Sequence, residues 1–137
     1  MDNVILLDLD GVMITTKPWE SDFILADDFA EFNPRAVTKL NQLLKETGYD
    51  IVLTSARRYV HDIDQMNEFF KTRGIEGQII DYLPLYDVNL RYSRFDEVMR
   101  FLQKHRPNNY LMIDDDKSMS KFGFEKLIQT DPMIGLV

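Results

Sequence analysis

Three short apolar runs constrain this chain most, because each breaks off at a group of polar side chains. Val4-Ile5-Leu6-Leu7 ends in Asp8-Leu9-Asp10-Gly11, Ile51-Val52-Leu53 ends in Thr54-Ser55, and Tyr110-Leu111-Met112-Ile113 ends in Asp114-Asp115-Asp116. A continuous apolar run without polar alternation marks a strand buried on both faces, the habit of parallel sheets covered by helices. Helical patterns lie between the runs. Asn33-Pro34 reads as an N-cap followed by proline at the first helical position, with Val37, Leu40, Leu43 and Leu44 at helical spacing and Gly48 as the stop. Further amphipathic helices are expected over 60–72, closed by Gly74, and over 93–105. Residues 78–81 and 126–129 read as weaker strands. This alternation predicts an α/β fold: a three-layer α/β/α, Rossmann-like parallel sheet.

The length of 137 residues predicts one domain over 1–137, with an irregular stretch from about 12 to 33 that holds Pro18 and Trp19. The chain has no cysteine, which excludes a disulfide framework, a thiolate zinc site and a cysteine nucleophile. Lys and Arg total 16 against 23 Asp and Glu, a formal net charge of −7. That balance speaks against a broad nucleic-acid footprint and against binding to an anionic membrane. The first apolar run stops after four residues, far short of a spanning helix, so a soluble, cytoplasmic protein is expected. His61 and His105 lack metal-ligand spacing and read as structural or surface residues.

Where the acids fall carries the chemistry. Ligands of open parallel sheets bind beyond the carboxyl ends of the strands, so three polar clusters distant in sequence should converge. Asp8 and Asp10 stand two apart, a spacing that points both to one side of a strand, and Gly11 allows a sharp turn after them. Adding carboxylates from Asp114, Asp115 and Asp116 concentrates negative charge that resists ionisation unless a cation offsets it. Mg²⁺ suits such a site: it takes oxygen ligands, with one or two carboxylates completed by water and substrate phosphate. Asp116, ahead of Lys117-Ser118, also reads as a helix cap.

With those residues in view, the chain resembles the phosphatase branch of the haloacid dehalogenase (HAD) superfamily. Four apolar residues followed by Asp8-x-Asp10-Gly11, then a strand ending in Thr54-Ser55, then a strand ending in Asp114-Asp115 are similar to that superfamily's ordered motifs. The resemblance implies a Mg²⁺-dependent phosphomonoester hydrolase with an aspartyl-phosphate intermediate. It implies Asp8 as nucleophile, Asp10 as general acid and base, and Thr54, with Ser55 as the fallback, as the hydroxyl on the phosphoryl oxygens. It implies a metal site of Asp8, Asp10, Asp114 and Asp115. The superfamily's usual lysine has no counterpart between Lys71 and Lys104; Arg94, at the head of the third helix, takes the matching place, with Arg91 as alternate.

Neither 12–33 nor 56–93 has room for a cap domain with its own core, so the resemblance is to capless members with open sites. The stretch 12–33 is expected to form a flap, whose Trp19, Phe23 and Phe29 either contact substrate or pin the flap to the core. Gly11, Ser55 and Arg57 are expected on the substrate side, Arg57 either at a second phosphate or nucleic-acid backbone or as a solvated arginine. The tail 128–136 is similar to that of small HAD domains found with RNA-repair enzymes, which implies a phosphorylated polynucleotide end as substrate; other phosphorylated small molecules remain open. Two readings compete: a receiver-like phosphoacceptor module, and a HAD-fold binding domain without activity.

Overall fold

The computed structural model describes residues 1–17 and 19–137; Pro18, named above within the irregular stretch, lies outside them. Five strands, β1 (Asn3–Leu7), β2 (Asp50–Leu53), β3 (Ile79–Tyr82), β4 (Asn109–Asp114) and β5 (Leu127–Gln129), form one sheet in the order β3-β2-β1-β4-β5. Every pairing is parallel. The helices are α1 (Pro34–Thr47), α2 (Ile63–Thr72) and α3 (Arg94–His105), joined by short 3₁₀ segments at Ala56–Tyr59, Val88–Leu90 and Lys117–Phe122.

Strand alternation sorts the core into two halves. Ile5 and Leu7 of β1 face one side, where Ala36, Leu40 and Leu44 of α1 and Met66 and Phe70 of α2 pack. Val4 and Leu6 face the other, where Val98 and Phe101 of α3 pack with Met119. β1 is therefore apolar on both faces because both faces are covered. The result is the expected three-layer α/β/α sheet, and among the described residues no separate cap layer interrupts it.

Local signals set the helix ends. The Asn33 side chain accepts from the Arg35 N–H and Gly48 closes α1 in the left-handed region (φ 67°). The second helix begins later than residue 60. Asp62 caps it in a reciprocal box with Gln65, while Ser55 caps the 3₁₀ segment before it. Ser93 and Asp96 form a second such box at α3.

From β1 the chain moves outward to β2 and β3, then crosses back to β4 and β5 on the other side. The order reverses between β1 and β4, and a crevice opens beyond their carboxyl ends. The 12–33 connection lies between β1 and α1. Its Phe29 is buried and stacks on Phe69 with ring centroids 4.4 Å apart. Arg73, at the end of α2, donates to Asp27 (2.6 and 2.9 Å) and to the carbonyls of Phe29 and Ala30. Trp19 and Phe23 of the same connection are exposed, whereas its other two aromatics, Phe29 and Phe32, are buried in the core.

Candidate active site at the sheet switch point

Asp8, Thr54 and Asp114 stand at the carboxyl ends of β1, β2 and β4 and are all buried. Backbone ladders hold them in register: the Asp8 N–H donates to the Ile113 carbonyl (3.0 Å) and the Thr54 N–H to the Leu7 carbonyl (2.8 Å). Asp8, Asp114 and Asp115 each bring a carboxylate oxygen within 4.8 Å of the others. Gly11 makes this possible. It sits at φ 81°, and a Cβ there would stand 2.2 Å from Asp115 Oδ2. Thr130 ties the loops together, its hydroxyl donating to the Gly11 carbonyl (2.7 Å) and its N–H to the Asp114 carbonyl (3.0 Å).

Arg94, in the first turn of α3, reaches over this cluster. Its guanidinium lies 3.9 Å from Asp8 Oδ1 and 3.7 Å from Asp114 Oδ2, and Nη1 donates to the Thr54 carbonyl. The acids flanking it are otherwise engaged, Glu97 with Arg58 and Asp96 with the Ser93 cap. Arg91 lies on the exposed loop before α3. Burial raises the Asp8 carboxyl well above the ordinary range, the neighbouring Asp114 adds to that, and Arg94 works against it. Burial lifts Asp114 to about 6, again opposed by Arg94.

Thr54 Oγ1, Arg94 Nε and Asp114 Oδ2 are buried with no hydrogen-bond partner among the described residues. At 3.7 Å the last two face each other beyond hydrogen-bond reach. Buried polar atoms are nearly always satisfied, so a hydroxyl, a cationic N–H and a carboxylate oxygen left open in one crevice describe a place for a ligand with both acceptors and positive charge.

Residues 4–137 match the family described as HAD domain in Swiss Army Knife RNA repair proteins. The chain belongs to that family. A comparison with curated proteins finds no match. Membership sets aside the receiver-like reading.

The donor set of this HAD domain fits a hard divalent cation. It is all oxygen, three carboxylates converge, and Asp114 Oδ2 awaits a partner. Asp10 is not in that cluster. β1 ends at Leu7, so strand alternation does not carry through Asp8-Leu9-Asp10; Leu9 is buried and the Asp10 side chain is 56% exposed. Arg57 grips Asp10 through Nε (3.0 Å) and Nη2 (2.8 Å), while Nη2 also donates to Asp22 of the 12–33 connection (2.9 Å). Hydrogen bonds from Thr16 and Arg57 lower the Asp22 carboxyl. The guanidinium lies 5.2 Å from the Phe29 ring. Ser55 is buried and caps the 3₁₀ segment, its hydroxyl accepting from the Arg57 N–H (3.1 Å). Asp116 caps the Lys117–Phe122 segment by accepting from Ser118. His61 packs against Phe29 and Phe69, and His105 against Phe101.

Sequence reasoning missed four residues that hold the site. They are Asp22, Thr130, Arg73 and the buried Arg58, which donates to the Leu83, Thr54, Ser55 and Pro84 carbonyls and to Glu97 (2.7 Å). Each works through a partner at least 25 positions away or through backbone carbonyls, and neither leaves a local pattern.

Proposed function

We propose that this HAD domain is a Mg²⁺-dependent phosphomonoesterase that works through an aspartyl-phosphate on Asp8, with a phosphorylated polynucleotide end as its substrate. The observation that carries the reading is the unpartnered Thr54 hydroxyl facing the same crevice as the Asp8 carboxylate, the acid pair and Arg94. The family supports phosphoesterase-type chemistry, and the RNA-repair setting in its description supports a polynucleotide substrate.

A bound Mg²⁺, held by Asp8, Asp114 and Asp115, would supply positive charge that offsets the acids and admits a phosphate dianion. Thr54 Oγ1 then donates to a phosphoryl oxygen, and Arg94 steadies the charge on the transferring group. An Asp8 oxygen attacks phosphorus; its bond to phosphorus forms as the ester P–O bond breaks, and the leaving alkoxide takes a proton from Asp10. Water next attacks the same phosphorus and passes its proton to Asp10, freeing Asp8 and inorganic phosphate. Asp10 takes these roles after it leaves Arg57, and the 12–33 connection acts as the flap whose Asp22 shares that arginine.

Asp8→Asn should abolish hydrolysis of a generic aryl phosphate in Mg²⁺ while the far-UV circular dichroism and unfolding midpoint stay near those of the parent protein. Full activity in that variant would rule out Asp8 as nucleophile.

A further inference from the structure

Bordered by Arg94 lies a cavity of about 260 Å³ between the Ala56–Tyr59 segment and the loop that precedes α3. Its walls carry Tyr59, Tyr86, Tyr92, Arg91 and Arg94. The volume is close to that of one heterocyclic base with water, well below a drug-sized site. Three features set it apart from an ordinary surface dent. It shares Arg94 with the acid cluster, so whatever fills it is attached within one side chain's reach of the Asp8 carboxylate. Its aromatic wall is rigid: the Tyr59 hydroxyl donates to the Tyr86 carbonyl (3.1 Å) and accepts from the Tyr86 N–H (3.0 Å), and the Arg58 guanidinium sits 4.8 Å from the Tyr59 ring. The Tyr92 ring meets Tyr86 edge-on, 5.3 Å between centroids, with the Arg100 guanidinium 4.2 Å from its centroid. Of the acids on the wall, Glu97 is paired with Arg58 (2.7 Å), while Asp87 accepts from the Asn89 N–H (2.8 Å) and keeps its charge; the exposed Arg91 offers a cation at the same rim.

We infer that this cavity is a base-stacking subsite that receives the terminal nucleoside of the phosphorylated strand, with Tyr59 and Tyr92 as specificity-determining residues and Arg91 on the adjoining backbone phosphate. The inference rests on the phosphomonoesterase reading and adds to it which part of the substrate is recognised and where. Flat π-faces accept any base, so the subsite is sequence-tolerant. In a chain with net charge −7, a single local cation such as Arg91, rather than a basic face, would meet the strand's backbone phosphate.

The test compares oligonucleotides bearing a 3′- or a 5′-phosphate on a terminal nucleoside with the same strands bearing the phosphate on a terminal abasic sugar. The readout is the ratio of kcat/KM, base-bearing over abasic. The parent protein should favour the base-bearing end of one polarity about 10-fold, the loss expected for one base–aromatic stack. Tyr59→Ala and Tyr92→Ala should each bring that ratio toward one. Tyr59→Phe, which keeps the ring, should retain most of it. Arg91→Ala should leave the ratio in place and flatten the salt dependence of KM. Binding of the same strands to Asp8→Asn protein, read by fluorescence anisotropy, reports the subsite without turnover. A parent ratio of one in both turnover and binding, or a ratio unmoved in both tyrosine→alanine variants, overturns the inference. Failure to hydrolyse aryl phosphate and both strand types overturns instead the reading on which it rests.

Discussion

Gly11 occupies a point where one methyl group decides whether three carboxylates meet. A Cβ at that position would stand 2.2 Å from Asp115 Oδ2, and φ 81° disfavours any side chain there. Gly11→Ala should cost about 1–3 kcal/mol in urea unfolding and should weaken Mg²⁺ binding in calorimetry by displacing Asp115. Metal binding should also depend on pH in a fixed direction. Asp114 ionises near 6 rather than its ordinary 3.8. Its burial therefore favours the protonated fold below about 4, and that contribution is lost as pH rises through 6. Protons and Mg²⁺ compete for the same oxygens. The unfolding midpoint measured without metal should fall between pH 4 and 7, and the upward shift caused by added Mg²⁺ should grow over the same interval. A Mg²⁺ shift equally large at pH 4.5 and pH 7.5 would contradict this.

Among the elements, the 12–33 connection is tied to α2 through Arg73. Arg73 at the end of α2 holds Asp27, Phe29 and Ala30, with its own side chain only 2% exposed. Hydrogen bonding from Arg73 keeps the Asp27 carboxyl far below its ordinary value. A carboxyl so depressed adds stability above its unfolded pKa, and that stability is lost as pH falls through the folded value. Arg73→Met should destabilise by about 2–3 kcal/mol, short of the cost for a wholly buried pair because Asp27 keeps contact with water. In the parent protein, the protection factors of amides across 24–32 should fall selectively below pH 4. This dependence has no counterpart in the sequence pattern. Strand cores, helix caps and the order of the acid and hydroxyl clusters are legible because each rests on neighbours within four positions, as Asn33 with Arg35 or Ser93 with Asp96. Arg57 on Asp10, 47 positions away, and Thr130 on Gly11, 119 away, are tertiary facts. The divergence of Asp8 and Asp10 was hidden for a related reason: the alternation rule holds only inside a strand, and β1 stops one residue before Asp8.

At the scale of the molecule, Asp8, Thr54 and Asp114 of the candidate site stand together at the carboxyl end of a wholly parallel sheet, and no helix among the described residues is long and apolar enough to cross a membrane. The central pairing of that sheet joins distant parts of the chain. Asn3 lies opposite Asn109 and Leu7 opposite Ile113, a register extended at its open end by the Asn109 side-chain amide, which donates to Asn3 Oδ1 (3.0 Å). Closing a loop of about a hundred residues is entropically costly before any contact rewards it. In refolding from denaturant, secondary structure should therefore appear ahead of Mg²⁺ binding, and metal binding should return only with the slowest cooperative phase. The same seam has a consequence in time. The acids that crowd one another in the finished crevice should stay apart until β4 pairs with β1, so the chain should meet their repulsion late in folding.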